Sequence, residues 1–212
     1  MCREWRHRGS LRDIIYGSPP GIAAQYKYAG TGRPLSDAKC ARYGAQLLGA
    51  LEVLEGLGDG AVLQVHCGNL FISGERVVVA EWEAGLLGAP SALEPFCRAL
   101  RAEMTPGYVA LAHALYEMCC GFEADVAAPS FFPPHAAPRT ADALRSIFAP
   151  RTRVPGRARP PPRGLGDAAS LPLLSRALAR EPLSQSAPAE REMREIARLI
   201  APGGSLAGES NA

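Results

Sequence analysis

The chain has no Cys-x-x-Cys pair among its 6 Cys, and its 4 His have no ligand-like spacing. That disfavours both a zinc site and a disulfide framework. Cys2, Cys40, Cys67, Cys97, Cys119 and Cys120 are therefore reduced thiols by default. No apolar run approaches the ~20 residues that span a bilayer. Met1–Arg12 is charged and lacks the apolar stretch of a signal peptide. Charge of one sign is missing as well, since 23 basic residues stand against 21 acidic ones for a net +2. Such a balance gives no global field to attract nucleic acid or a membrane surface. There is no Gly-x-Ser-x-Gly elbow and no internal repeat. These absences predict a cytoplasmic protein.

What is present is apolar substance. The 212 residues are 47% hydrophobic, enough for one sizeable core. Gly9–Gly17 (GSLRDIIYG) predicts a capped helical turn, with Ser10 as N-cap, Leu11, Ile14 and Ile15 as a short stripe and Gly17 as the stop. A surface connection to Pro34 follows, anchored by Tyr26 and Tyr28. A long helix starts at Ser36 or Asp37, carries Ala41, Gly44, Leu47, Leu48, Leu51 and Leu54 at helical spacing, and stops over Gly56–Gly60. Leu93, Phe96 and Leu100 suggest a short helix. Tyr108–Cys120 has so broad an apolar face that it predicts a buried central helix, ended by Gly121.

The C-terminal third is more broken. Residues 127–138 hold four Pro and predict a loop, and Thr140–Phe148 a short helix. Arg151–Arg163 carries five Arg and four Pro in thirteen residues. Composition favours a solvated, extended linker, and contact with an acidic surface is the alternative. Leu171–Ala179 predicts a short apolar helix. Pro188–Ile200 predicts a last helix with Met193, Ile196, Ala197 and Ile200 on one face, and 203–212 a disordered tail.

The stretch Val62–Gly88 (VLQVHCGNLFISGERVVVAEWEAGLLG) organises the rest. It reads as a loop, a strand Leu70–Ile72, a Ser73-Gly74 turn, a strand Val77–Ala80 and an acidic patch Glu81-Trp82-Glu83. A hairpin of this kind brings Asn69, at its entrance, and Glu81, at its exit, to the same end.

The order of GSLRDIIYG, the VHCGNLFI loop, the EWEAGLLGAPS segment and HALYEMCCG (His113–Gly121) resembles a protein kinase C-lobe. More closely it resembles the pseudokinase group of the Slowpoke-binding protein and the PX-domain serine/threonine kinase-like protein. The resemblance covers roughly residues 9 to 180, and its specific part is Val62 to Gly121. It implies a mainly α fold, a helical bundle with a small β-hairpin, over residues 1–182 with a Pro/Arg-rich loop about 149–168. A C-terminal helix at 187–202 follows, and the N-lobe is expected to be absent. There is no GxGxxG loop and no strand like Val-Ala-Ile-Lys before Gly9. An exposed apolar upper face is the expected consequence.

Placed on the family's loop motif, His-Arg-Asp-x-Lys-x-x-Asn, Asn69 matches the metal-binding Asn. Gln64 falls on the catalytic base, His66 on the Lys, and Val62 and Leu63 on the His-Arg pair. Glu81-Trp82-Glu83 falls on Asp-Phe-Gly, and the Asp that opens the buried helix falls near Gly107. A kinase base must accept a proton, and an amide such as Gln64 has no basicity for that near neutral pH. His66 in the Lys slot is structural or phosphate-contacting in preference to catalytic. Glu81 keeps a carboxylate but sets its oxygens about 1.5 Å further out than Asp would. Mg²⁺ demands near-octahedral geometry, so Asn69 and Glu81 can at most form a weak Mg-ATP site, with His66 beside it. Asn69 also reads as a residue that caps its own turn. The resemblance thus predicts no catalytic residue, and a scaffold or regulator that binds a protein, by likeness an ion-channel or membrane-trafficking protein. It would be cytoplasmic or held at a membrane through that partner. The alternative is a residual ATP-binding kinase whose N-lobe lies outside this chain.

Overall fold

The computed structural model describes residues 9–18, 27–28, 30–150, 161–180 and 194–195. The fold is mainly helical with one two-stranded sheet, as the sequence predicts. In chain order the elements are α1 (Leu11–Tyr16), α2 (Asp37–Glu55), α3 (Asp59–Leu63), a 3₁₀ turn (Cys67–Asn69), β1 (Leu70–Ser73) and β2 (Arg76–Val79). They continue with α4 (Trp82–Leu86), α5 (Glu94–Leu100), α6 (Pro106–Cys120), α7 (Pro138–Phe148), α8 (Leu165–Ala169) and α9 (Pro172–Arg180).

Helix α6 is the axis of the molecule. Thr105 caps it by accepting from the Tyr108 amide, Pro106 opens it, and Gly121 ends it in the left-handed region at φ 81°. Every residue from Gly107 to Cys120 is buried. A helix apolar on all sides must be surrounded, and α2, α3 and α7 pack along it. Each fully buried Leu on it, such as Leu111 or Leu115, contributes about 2 kcal/mol of transfer free energy.

Helix α2 begins and ends where its signals place it, with Ser36 accepting from the Lys39 amide. Its Gly44 makes the packing possible. A Cβ there would lie 2.8 Å from a methyl of Leu115 and 2.9 Å from one of Leu174. Only a residue without a side chain lets α2 pass that close to both α6 and α9.

Helix α1 is a capped turn, as predicted. The Ser10 hydroxyl accepts from the Asp13 amide, and the Asp13 carboxylate accepts from the Ser10 amide at 2.8 Å. The same buried carboxylate takes the Tyr28 hydroxyl at 2.7 Å and the Lys27 ammonium at 2.8 Å. Tyr28 is thus the aromatic anchor expected of that connection.

Three local expectations are corrected. Residues after Gly56 do not run straight into a loop, because Asp59–Leu63 forms α3. Three nearby glycines read as a helix stop, yet Gly60 is there for contact: a Cβ on it would lie 2.6 Å from the Gly85 carbonyl oxygen. The hairpin turn is Gly74-Glu75, one residue later than expected, because Ser73 pairs with Arg76: the first strand is one residue longer and the second lies one residue earlier. Glu81-Trp82-Glu83 is not an acidic patch: Trp82 is buried at the start of α4, and only Glu81 is exposed.

The helix expected at Pro188–Ile200 lies outside the described residues except for Arg194 and Glu195, which are helical and exposed. The tail 203–212, Tyr26 and most of Arg151–Arg163 lie outside them too. Among the described residues, no helix is long and apolar enough to cross a membrane.

Candidate functional site

The hairpin brings the ends of the candidate stretch together. Leu70 pairs with Val79, and the Ala80 amide donates to the Asn69 carbonyl at 2.9 Å. Asn69 and Glu81 therefore flank the same end of the sheet, as the spacing predicts. The loop before the sheet is fastened to the core from below. Val62, Val65 and Cys67 are fully buried, and the Cys67 thiol points at the Ala114 carbonyl of α6 at 3.6 Å. Burial pushes that thiol well above its ordinary pKa, so it packs as a small apolar group.

The polar side chains of the loop hold the loop itself. The Asn69 amide nitrogen donates to the Gln64 carbonyl at 3.1 Å, which closes the turn. Only its Oδ1 is left as an atom of ligand type. Gln64 is buried, and its own amide nitrogen donates to the Ala89 carbonyl at 3.2 Å. Ser91 donates to the Leu63 carbonyl and accepts from the Leu93 amide, a second latch at the same place. The Gln64 side chain thus ties α3 to the segment after α4. It has no carboxylate and is committed to a backbone partner.

His66 is turned the same way. Its Nδ1 accepts from the Gly68 amide at 3.2 Å, which assigns the proton of the neutral ring to Nε2. Burial, and then the nearby Arg12 guanidinium, hold its pKa below the ordinary value. A neutral imidazole cannot serve as the cation that a kinase Lys provides to phosphate. Glu81 is exposed, sits at φ 59° and precedes α4 without a side-chain capping bond. It is the one non-Gly residue at positive φ among the described residues, a conformation that costs about 1 kcal/mol or more.

As donors for Mg-ATP these groups supply one exposed carboxylate and one amide oxygen. Among the described residues, no group of three or more His, Cys, Asp or Glu could hold a metal ion. A kinase-type Mg–phosphate site draws on one carboxylate and one such amide oxygen, so the donor types match, while no transfer step follows from them without a base.

Two features of the region were not legible in the sequence. Gln46 of α2 reaches the hairpin, accepting from the Val77 amide at 2.8 Å and donating to the Glu75 carbonyl at 3.0 Å. Arg12 of α1 makes a two-pronged ion pair with Glu117 of α6, Nε to Oε1 at 2.7 Å and the terminal nitrogen to Oε2 at 2.9 Å. It also meets Glu123 at 2.7 Å. Burial would lower the Arg12 pKa, but Glu117 and Glu123 outweigh it and hold the guanidinium above its ordinary value. For Glu117 burial dominates and raises its pKa, against the pull of Arg12. The bidentate guanidinium favours the ionised form of the carboxylate it faces, against the effect of burial.

A buried central helix, a loop closed by Asn69 and a hairpin on top are compatible with a kinase-like C-lobe. Two known proteins are similar in sequence. The chain is 27% identical over 149 residues to the probable inactive serine/threonine-protein kinase slob2 of Dictyostelium discoideum, covering 68% of this chain and 25% of that protein. It is 31% identical over 134 residues to the Slowpoke-binding protein of Drosophila melanogaster, covering 61% of this chain and 26% of that protein. These homologues support the resemblance to the Slowpoke-binding, inactive-kinase group. The chain spans about a quarter of the length of the relatives it matches. No family model matches it.

Proposed function

We propose that this chain is a catalytically inactive kinase-like module that works by binding a protein, as a scaffold or regulator. The observation that carries the reading is Gln64: at the position of the kinase base, a buried amide is spent on the Ala89 carbonyl. A neutral His66 and the exposed, positive-φ Glu81 add to it. The name of the Drosophila relative adds a partner class, so the partner proposed here is an ion-channel protein. The chain would then work in the cytoplasm, brought to a membrane by that partner.

A second reading, residual nucleotide binding, is favoured by one observation. Asn69 keeps Oδ1 as a ligand atom at the end of the hairpin where Glu81 stands. Thermal unfolding with Mg-ATP separates the two. Ligand at a tenth of its Kd stabilises by only about 0.06 kcal/mol, so the binding-module reading expects no resolvable shift at 1 mM Mg-ATP. A clear stabilisation that disappears in Asn69→Ala overturns it. In parallel, the cytoplasmic part of a Slowpoke-type channel should be captured by the purified chain. Capture must persist in Asn69→Ala and without nucleotide.

A further inference from the structure

The bond that commits Gln64 also holds a loop outward. Residues 84–93 (AGLLGAPSAL) carry no charged side chain, and Leu87, Gly88, Ala89, Pro90 and Ala92 are exposed, Leu87 at 69%. The loop is latched in place: Gln64 Nε2 donates to the Ala89 carbonyl at 3.2 Å, the Ser91 hydroxyl to the Leu63 carbonyl and the Ala89 amide to the Ala84 carbonyl at 2.9 Å. Leu86 joins the same side, because a Cβ on Gly58 would lie 3.9 Å from one of its methyls, and half-buried Leu57 is the residue before Gly58. Leu57, Leu86, Leu87, Ala89 and Pro90 thus form an apolar surface that is fixed before any partner arrives, which keeps the ordering cost of binding low.

The border of that surface is acidic. The chain as a whole is +2, yet residues 52–103 hold eight acidic and three basic side chains. Glu52 and Glu55, three apart and both exposed, share one side of α2 where it ends, and Asp59 is exposed at the start of α3, two residues after Leu57. None of the three has an ion-pair partner among the described residues, and Glu55 only accepts from the Thr105 hydroxyl at 3.1 Å. Asp59 also acts across to α5, where burial and that carboxylate push the Cys97 thiol up to about 11. On α5 itself, Arg98 is spent on Glu94 at 2.7 Å, and Arg101 stands beyond the far end of the helix. An apolar centre with carboxylates at its rim selects a partner that brings apolar side chains together with cations.

We propose that this surface takes a basic amphipathic segment of a protein partner, its apolar residues on Leu57, Leu86 and Leu87 and its Lys or Arg side chains towards Glu52, Glu55 and Asp59. This rests on the binding-module reading and gives that module its docking face. Short labelled peptides are titrated with the full chain and read by fluorescence anisotropy: one of Leu and Lys with Leu at helical spacing, one with Glu for every Lys, and one with Ala for every Leu. The Leu–Lys peptide should bind at least about tenfold more tightly than either of the others, and less tightly as salt is added. Leu87→Ser and Glu52→Lys should each weaken it about tenfold, and both, being changes at exposed positions, should unfold with the parent's transition. Phe131→Ser, at an exposed aromatic on another loop, should leave it unchanged. Equal binding of the Leu–Glu or the Ala–Lys peptide overturns the inference, as does no binding, or a loss in Phe131→Ser that Leu87→Ser does not share. The peptide series decides this surface, and capture of the channel part by the parent chain decides the reading it rests on. A captured channel with no peptide binding removes the surface and leaves the module standing.

Discussion

Replacing Arg12 by Ala removes the cation from a carboxylate that cannot reach water. Glu117 is 2% exposed and receives two charge-assisted hydrogen bonds from Arg12. Breaking a buried pair by removing one partner costs about 3–5 kcal/mol, most of it the penalty of the stranded charge. For a domain of this size, 1 kcal/mol moves the melting temperature by about 2–4 °C, so Arg12→Ala should melt roughly 6–20 °C lower. The pH dependence identifies the cause. Burial already raises the Glu117 pKa while Arg12 pulls it down; without Arg12 it rises further. A carboxylate whose folded pKa lies above its unfolded value favours the folded state below the unfolded pKa, and that contribution is lost as pH rises through the folded pKa. The deficit of Arg12→Ala relative to the parent should therefore shrink as pH falls from 7 towards 4.5, by at most about 1.4 kcal/mol per pH unit. His66 acts in the same direction, because Arg12 also depresses its pKa. Urea unfolding of both proteins at pH 5, 6, 7 and 8 measures the deficit directly. The double variant Arg12→Met/Glu117→Leu should recover most of the loss. A deficit below 1 kcal/mol, or one that does not change with pH, refutes the buried-charge argument.

Two further outcomes follow from packing and titration. Gly85→Ala would place a Cβ 1.8 Å from the Gly60 carbonyl oxygen, so α3 and α4 must separate; a loss of about 3 kcal/mol or more in urea unfolding is expected, and a loss below 1 kcal/mol would show that the two helices give way easily. His66 and His113 are held neutral chiefly by burial, each below its ordinary pKa, so stability present above about pH 6.5 should be lost as pH falls through their folded values. Each adds up to about 1.4 kcal/mol per pH unit, and His113→Phe should make the acid limb shallower in a chemical-denaturation series.

Local signals carried much of the fold. Ser10, Ser36 and Gly121 cap their helices where the sequence places them, because capping is a matter of a few neighbouring residues. The apolar stripe of α2 and the all-round apolarity of α6 mark which helix lies at the surface of the core and which inside it. The site was legible as positions and not as contacts. Asn69 and Glu81 flank one end of the hairpin because strand pairing follows from spacing. That Gln64 would bind Ala89, 25 residues on, and Gln46 the hairpin, 31 residues on, leaves no mark on the sequence. A glutamine facing a distant carbonyl has the same neighbours in the chain as one facing water. Helix α3 was hidden for a related reason, since glycines at a helix stop and glycines at a close helix contact look alike until the partner helix is in place.

The bond from the Asn69 amide to the Gln64 carbonyl has a consequence for how chains of this kind are classified. The asparagine is required for the shape of its loop whether or not any metal is ever held there, because its nitrogen and its oxygen serve different ends. Closing the loop is by itself reason enough for an asparagine at this position. An asparagine here therefore reports that the loop closes, and says nothing by itself of a metal.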